Sequence, residues 1–315
     1  MLDRRKTVPP GTSRCRLALL TALLSLCASP ALGQQVPCRG LSEPIDIPCL
    51  CAANAENGTD IVCDNVVFGG DFPLLPFRAA IHSFSQRNVG HQRLPAQLFT
   101  AANIPLRKLD FSRNVLNQLT GRLLDGLEDT LEEVYLGYNQ LGDQLNPIFS
   151  TGEFRGLKRL KILDLRSNGI KALDGGILDG CDELQVLRLE GNQLEEVPST
   201  ALTGPRALTV LTLQENHIDQ VQTDAFLEQP ALRFLNISSN RIRKFQFGAF
   251  TGLARLQRLY MAYNKIQQLD ESDLAGLQDL ELLDISNNFL TQVPTDALRR
   301  LTQLKTLVLH SNLIQ

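Results

Sequence analysis

Residues 208–240 read LTVLTLQENHIDQVQTDAFLEQPALRFLNISSN, and one pattern occurs in them twice. In the first copy Leu208 is followed at fixed spacings by two more apolar residues and then by Asn216; the second copy ends 24 residues later at Asn240. Outward in both directions the spacing stays at 24 from Asn168 onwards, and it is 29 between Asn139 and Asn168. The pattern L-x-x-L-x-[LIM]-x-x-N, with small variations, closes at nine asparagines: Asn114, Asn139, Asn168, Asn192, Asn216, Asn240, Asn264, Asn288 and Asn312.

The spacing of the apolar residues predicts a short strand in every repeat. In Leu211-Thr212-Leu213, alternation with a period of two sends both leucines inward and the threonine outward. Strands of successive repeats then pair as a parallel sheet. We expect the asparagine to turn inward after the strand, because its amide both donates and accepts hydrogen bonds and so satisfies backbone groups of the turn.

A period of about 20 to 29 residues with this pattern is typical of leucine-rich repeats, in which each repeat buries its apolar face only against its neighbours. We therefore predict an α/β solenoid, a curved horseshoe with a parallel β-sheet on its concave face and loops and short helical turns on its convex face. A tenth, degenerate repeat precedes the others. Its Phe84-Ser85 matches Phe111-Ser112 of the next repeat, which places Arg87 where the asparagine is expected.

The first 33 residues have the features of a signal peptide. Five basic residues precede or enter the apolar run of residues 17–28, and Ala31-Leu32-Gly33 is a suitable cleavage site. The run is too short to span a bilayer, so we expect a secreted chain that begins at Gln34. Removal of five basic residues and Asp3 changes the net charge from -3 to -7. An acidic chain gives no electrostatic reason to expect nucleic acid as a partner.

Four of the seven cysteines lie close together in residues 34–77, which we interpret as an amino-terminal cap: Cys38, Cys49, Cys51 and Cys63. In a secreted module an even set predicts two disulfides, with three possible connectivities. Metal binding is disfavoured because no histidine accompanies the Cys-x-Cys pair. Cys181 lies 13 residues after Asn168, a position that leucine takes in later repeats and Pro205 takes after Asn192. We expect Cys181 to be a buried, unreactive thiol.

The repeats fill residues 78–315, and the chain ends three residues after Asn312. A terminal repeat needs a polar outer face. With no cysteine-rich cap after the last repeat, we expect the sequence to be incomplete at its carboxyl end, which leaves the mode of anchoring open.

Catalytic motifs are missing from the sequence. The four histidines fall on different repeats, and none completes a HExxH or a nucleophile motif. We predict a non-enzymatic protein without cofactor or metal.

Tyrosine is the residue type that points to binding. Only four are present, at matching positions of two repeats: Tyr135 and Tyr138 in YLGYN, and Tyr260 and Tyr263 in YMAYN. Exposed tyrosines on a rigid concave surface anchor protein contacts, although they also serve as cover for neighbouring strands. The outward column between the inward strand residues is mixed and mostly polar, which favours a protein partner over a polyanion. It consists of Asp110, Tyr135, Asp164, Arg188, Thr212, Asn236, Tyr260, Asp284 and Val308.

Two glycosylation sequons are present. Asn57-Gly58-Thr59 lies in the expected cap, and Asn236-Ile237-Ser238 places its asparagine in the outward column. A glycan on Asn236 would divide the concave face.

Several irregular blocks resemble the chaoptin and artichoke group of arthropod extracellular leucine-rich repeat proteins. PCLC at 48–51 and IVCDNV at 61–66 are similar to their amino-terminal cap, and three further blocks look closest to artichoke: LGDQLNPIFST at 141–151, GILDGC at 176–181 and LTGPRAL at 202–208. The resemblance covers residues 38–315. In such caps the first cysteine pairs with the third and the second with the fourth, which implies Cys38 with Cys51 and Cys49 with Cys63.

The resemblance implies a cell-surface or matrix protein that acts in cell adhesion or in organising extracellular material, with protein or matrix partners on the concave face. Two other functions stay open. The chain could be the ectodomain of a transmembrane receptor, or a non-catalytic subunit or inhibitor of an enzyme, because the fold does not fix the function.

Overall fold

The computed structural model describes residues 35–39, 46–55, 58–66, 81–94, 99, 105–119, 123–142, 148–149 and 152–315. Its main element is a 13-stranded sheet with the order β1-β2-β3-β4-β5-β6-β8-β10-β11-β13-β15-β16-β17. The first three strands pair antiparallel, and every later pair is parallel. The strands of this sheet are β1 Val36–Arg39, β2 Asp46–Ala53, β3 Thr59–Val62, β4 Ile81–Ser85, β5 Lys108–Asp110, β6 Glu133–Tyr135, β8 Ile162–Asp164, β10 Val186–Arg188, β11 Val210–Thr212, β13 Phe234–Asn236, β15 Arg258–Tyr260, β16 Leu282–Asp284 and β17 Thr306–Val308.

Small elements complete the coils. Two pairs of two-residue strands lie outside the main sheet: β7 Ile148–Phe149 with β9 Ala172–Leu173, and β12 Gln220–Val221 with β14 Lys244–Phe245. Helical structure in the described residues consists of a 3-10 turn, Ala201–Thr203, and one α-helix, α1, Thr295–Leu298. The predicted solenoid with few and short helices is confirmed.

The strand register confirms the predicted inward and outward columns. Leu187, Leu211 and Leu235 pair in sequence along the sheet and are fully buried. The outward residues likewise pair with one another from Asp110 to Val308. One continuous apolar core therefore runs behind the sheet, as expected when each repeat buries its face against the next.

The asparagine ladder turns inward as predicted, and it also joins neighbouring repeats. Asn216 Nδ2 donates to the carbonyl oxygens of Leu213 in its own repeat and Leu189 in the preceding one, both at 3.0 Å. Its Oδ1 accepts from the backbone nitrogen of Leu194 in the preceding repeat at 3.0 Å. One buried amide thus satisfies backbone groups of two coils. The same bonding is found at both ends of the ladder, at Asn139 and Asn288.

The residue before each ladder asparagine adopts the left-handed conformation. Tyr138 has φ 59°, Glu215 has φ 58° and Tyr263 has φ 55°. Non-glycine residues rarely adopt this conformation, and among the nine clear repeats only Gly191 is glycine at this position. The turn fixes the direction of these side chains at the edge of the concave face.

The degenerate repeat is real, but its predicted register is wrong by two residues. Phe84 pairs with Leu109 and not with Phe111, so Val89 rather than Arg87 takes the asparagine position. Gln86 stands in the place of Phe111 and is fully buried. A shift of two residues keeps the same side chains inward, so the alternation alone does not distinguish the two registers.

The cap disulfides follow the pairing that the resemblance implies. Cys38 bonds Cys51 and Cys49 bonds Cys63, with Cα atoms 5.1 and 4.3 Å apart. β3 then pairs in parallel with β4, which joins the cap to the repeats through one sheet. The signal peptide, 1–33, and the boundary between cap and repeats at residues 77 and 78 lie outside the described residues.

The long spacing between Asn139 and Asn168 leaves the sheet intact, because β6 pairs directly with β8. Residues 143–147 and 150–151 of this segment lie outside the described residues. Cys181 is buried as predicted, and its Sγ donates to the Phe154 carbonyl oxygen at 3.0 Å. Burial raises the pKa of the Cys181 thiol to about 12, which keeps it protonated and unreactive. Pro205 is buried at the corresponding position.

Candidate functional site

The candidate site is the concave face, where the outward column meets the left-handed turn residues. Its two tyrosine pairs lie on β6 and β15 and in the turns that follow them. Five strand steps separate these strands in the sheet, which corresponds to roughly 24 Å at about 4.8 Å per step. The structure therefore does not bring the four tyrosines into one cluster, and each pair is a separate surface.

Tyr135 is covered by charged neighbours. Its hydroxyl donates to Glu133 Oε2 at 3.0 Å, and Lys108 Nζ lies 4.8 Å from the centre of its ring. Burial, and then the negative charge of Glu133, raise the pKa of the Tyr135 hydroxyl from 10.0 to about 12. Half-buried and engaged on both its ring and its hydroxyl, Tyr135 serves as cover for the sheet.

Tyr138 lies between two arginines. The guanidinium carbon of Arg113 on the preceding repeat is 4.7 Å from the ring centre, and that of Arg166 on the following repeat is 6.0 Å away. Cations above an aromatic face attract its electrons and remove the ring from water. Gly137 makes room for this arrangement, because a Cβ there would come within 2.9 Å of Arg166 Cγ.

Asp164 holds the arginine cluster in place. The carboxylate is 3 % exposed and accepts hydrogen bonds from the backbone and side chain of Arg166, and it lies 3.5 Å from Arg188 Nη1. The bond with Asp164 raises the pKa of the Arg166 guanidinium. Glu190 extends the network, 3.5 Å from Arg166 Nη1 and bonded to the Thr212 hydroxyl. This part of the concave face is internally paired.

Tyr260 packs on its neighbour along the sheet. Its ring centre is 5.3 Å from that of Phe234 on the preceding strand, with the ring planes tilted by 40°. Asn236 is the residue paired with Tyr260 in the strand register, and its Oδ1 accepts from the backbone nitrogen of Ser238 at 3.0 Å. A glycan on Asn236 would therefore stand beside Tyr260. The Asn236 modification stays a prediction, and Asn57 lies outside the described residues.

Tyr263 is the uncovered tyrosine. It is 62 % exposed, compared with 44 % for Tyr138, and within the described ranges it has no ring or cation contact. Serines stand where the arginines of the other pair stand, Ser239 before it and Ser286 after it. Phe289, on the next repeat, is also exposed. The two YxxYN motifs thus present different surfaces.

Sequence reasoning missed the residues that make this difference. Arg113 and Arg166 cover one tyrosine, and Phe234 packs against another. The signal was available in the columns, because residues at one position of successive repeats are neighbours on the surface. Reading each repeat alone does not show it.

Other site chemistry was also sought in the structure. Within the described ranges no group of three or more histidine, cysteine, aspartate or glutamate side chains is arranged to hold a metal ion. In that same part of the chain, no helix has both the length and the apolar character needed to cross a membrane.

Solved structures share this fold. Toll-like receptor 13 in its complex with single-stranded RNA matches with a TM-score of 0.66 and 24% identity over 73% of this chain and 32% of that chain. Toll from Drosophila in its complex with Spatzle matches with a TM-score of 0.56 and 22% identity over 72% of this chain and 35% of that one. This chain therefore spans about a third of each solved chain. At these identities the likeness shows the fold.

Among curated proteins, none gives a significant match. The family model described as leucine rich repeat matches residues 149–194, 183–242, 206–266, 230–290 and 261–314. Together these matches run from 149 to 314, which is more than half of the 315 residues. The chain belongs to the leucine-rich repeat family.

Proposed function

We propose that this protein is an extracellular, non-enzymatic leucine-rich repeat protein that binds a protein partner through the carboxyl-terminal part of its concave face. The observation that carries the proposal is the exposed ring of Tyr263 at the edge of a rigid parallel sheet. Tyrosine anchors protein interfaces because it contributes a large contact area and a polar hydroxyl while few rotamers are lost. The covered Tyr138 is not available in this way.

A protein partner agrees with the charge of the face. Outward residues from Thr212 to Asp284 are mostly neutral, and the chain as a whole is acidic. Toll-like receptor 13 is in complex with RNA and Toll with Spatzle, so the fold serves both kinds of ligand. For this chain, the lack of a basic stripe along the concave column favours protein over nucleic acid.

An extracellular location is supported by the two cap disulfides and by the signal-like residues 1–33. Disulfides persist in oxidising compartments. Adhesion or matrix organisation is the specific role we propose, on the resemblance of the cap and of residues 141–151 to the chaoptin and artichoke group.

A receptor ectodomain is the second candidate, favoured by the likeness to Toll and Toll-like receptor 13. The sequence of the full-length transcript separates the two roles. A membrane helix with a cytoplasmic signalling domain would favour the receptor, whereas a lipid-anchor signal or no anchor would favour adhesion or matrix.

Binding is tested with the secreted protein coupled to fluorescent beads and applied to cells and cell-derived matrix of the source organism. Tyr263→Ala should reduce bead retention by about 30-fold, the equivalent of about 2 kcal/mol for an interface anchor. Tyr138→Ala is the matched control and should reduce it less than about twofold. Melting curves of both variants check folding, and Asn236→Gln shows whether a glycan limits access.

Equal retention of wild type and Tyr263→Ala would remove Tyr263 as the anchor. A loss with Tyr138→Ala as large as that with Tyr263→Ala would place the binding surface on the amino-terminal repeats instead.

A further inference from the structure

A groove of about 590 Å³ lies on the flank that follows the carboxyl ends of the strands. We call it the charged groove and define it by six of its lining residues: Glu195, Glu196, Asp219, Arg241, Arg243 and Lys265. It is separate from the concave face, because these residues come after the ladder asparagines, where the chain has already left the sheet.

The six charges divide the groove into two halves. The acidic residues belong to the consecutive repeats of Asn192 and Asn216, and the basic residues belong to the next two repeats, those of Asn240 and Asn264. All six are exposed. Within the part of the chain that the structure describes, none of them forms an ion pair. The groove thus presents unneutralised charge of both signs, arranged in order along the solenoid.

The backbone makes this arrangement rigid. Arg241 donates its backbone N–H to the Ile218 carbonyl at 2.8 Å, and Arg243 donates to the Asp219 carbonyl at 3.0 Å. Lys265 donates to the Ile242 carbonyl at 2.8 Å, so each turn is bonded to the one before it. The charges are therefore held at fixed spacing on a surface that needs no rearrangement before binding.

The order of the charges is self-complementary. A two-fold axis between the repeats of Asn216 and Asn240 exchanges the first acidic repeat with the second basic repeat, and the inner two with each other. Glu195 and Glu196 of one copy then face Lys265 of the second copy. Asp219 faces Arg241 and Arg243 in the same way, and both sets of contacts occur twice, as an isologous interface requires. Lys171, which borders the acidic half, faces the uncharged repeat of Asn288.

We propose that the charged groove is a self-association site, through which two copies of this protein pair antiparallel, flank to flank. The pairing leaves both concave faces open, so the dimer displays two copies of Tyr263. A protein that acts in adhesion gains avidity from two binding faces.

A polyanion such as a sulfated polysaccharide is the competing occupant. The basic half alone offers Arg241, Arg243 and Lys265, with Lys244 next to them. An extended polyanion that runs along the solenoid would leave these residues and meet Glu195, Glu196 and Asp219 within two repeats, where like charges repel it. The ordered change of sign favours the second copy.

Sedimentation velocity of the secreted full chain tests the proposal with charge reversal on each half. The acid-reversed variant carries Glu195→Lys, Glu196→Lys and Asp219→Lys; the base-reversed variant carries Arg241→Glu, Arg243→Glu and Lys265→Glu. We expect wild type to dimerise at about 0.1 M salt and to dissociate at about 1 M, where the Debye length falls from about 10 Å to about 3 Å. Each variant alone should dimerise at least about tenfold more weakly, because like charges then face each other.

An equimolar mixture of the two variants should restore the dimer, since acid-reversed and base-reversed grooves complement each other. Arg255→Glu, at an exposed position outside the groove, is the control and should dimerise like wild type. A monomeric wild type, or a mixture that stays monomeric, would overturn the proposal. A monomeric wild type that binds heparin, with binding lost in the base-reversed variant, would assign the groove to a polyanion. Bead retention through Tyr263 does not require the dimer, so failure here leaves the concave-face proposal standing.

Discussion

Two repeats carry almost the same five residues, YLGYN at 135–139 and YMAYN at 260–264, and yet their surfaces differ. Tyr138 and Tyr263 have nearly the same backbone, with φ of 59° and 55°. Two arginines, on the repeats before and after, lie over the ring of Tyr138, whereas serines take both places around Tyr263. Gly137 admits Arg166 to the first motif, and Ala262 stands at the matching position of the second.

The comparison shows that in a solenoid the motif sets the backbone and its neighbours set the surface. Asp164 and Asp284 occupy the same column, and each accepts from the backbone nitrogen two residues on. The first also binds a guanidinium that reaches the tyrosine, while the second binds only the short hydroxyl of Ser286. Whether a tyrosine serves as cover or as a candidate anchor is therefore decided one repeat away.

The scaffold beneath the two motifs should be equally sensitive to loss of the ladder. Asn139→Leu and Asn264→Leu should each lower the free energy of unfolding by about 3 kcal/mol, because each removes the partners of several buried backbone groups. Urea unfolding of the two variants measures the effect. A difference of more than about 1 kcal/mol between them would mean that the repeats differ in the core as well as on the surface.

The two aspartates should differ. Asp164→Asn should destabilise the protein by about 2 kcal/mol, because it removes the carboxylate that binds Arg166 and Arg188 in a buried position. Asp284→Asn should cost about 1 kcal/mol or less, since its bonds to Ser286 are uncharged on the serine side and an amide oxygen still accepts them. Equal losses in thermal or urea unfolding would contradict the distinction between the paired and the unpaired surface.

The sequence was sufficient for the parts of the fold that repeat. The period of 24, the inward asparagines and the burial of Cys181 all follow from counting positions, because one residue type at one position performs one task in every coil. The cap pairing came from resemblance, since spacing allows three connectivities. Where the pattern decays, counting fails: the register of Phe84 was wrong by two residues because alternation cannot detect such a shift.

The candidate site was predictable only in part. The outward positions of the four tyrosines followed from strand geometry, but their availability did not. The cover of Tyr138 depends on Arg113 and Arg166, which lie 25 residues before it and 28 after it in the chain. The charged groove likewise requires that neighbouring repeats be placed side by side. Such features belong to columns, and the columns become visible once the register is known.

The smallest expected effect is a dependence on pH at the covered motif. Because burial raises the pKa of Tyr135 from 10.0 to about 12, its contribution to stability is complete below pH 10 and is lost as pH rises through 12. The free energy of unfolding of wild type should therefore fall more steeply between these values than that of Tyr135→Phe. Parallel curves for the two proteins would contradict the assigned burial.

The central claim, that Tyr263 is available and Tyr138 is covered, is tested most directly by nitration with tetranitromethane and fragment-ion mass spectrometry. The chain has four tyrosines and no tryptophan, so each site can be followed without interference. Arg113→Ser and Ser239→Arg are matched variants, because these residues hold the same position before the two tyrosines. We predict that Tyr263 is nitrated several-fold faster than Tyr138, that Arg113→Ser accelerates Tyr138, and that Ser239→Arg slows Tyr263; equal rates at the two tyrosines in wild type would contradict the account.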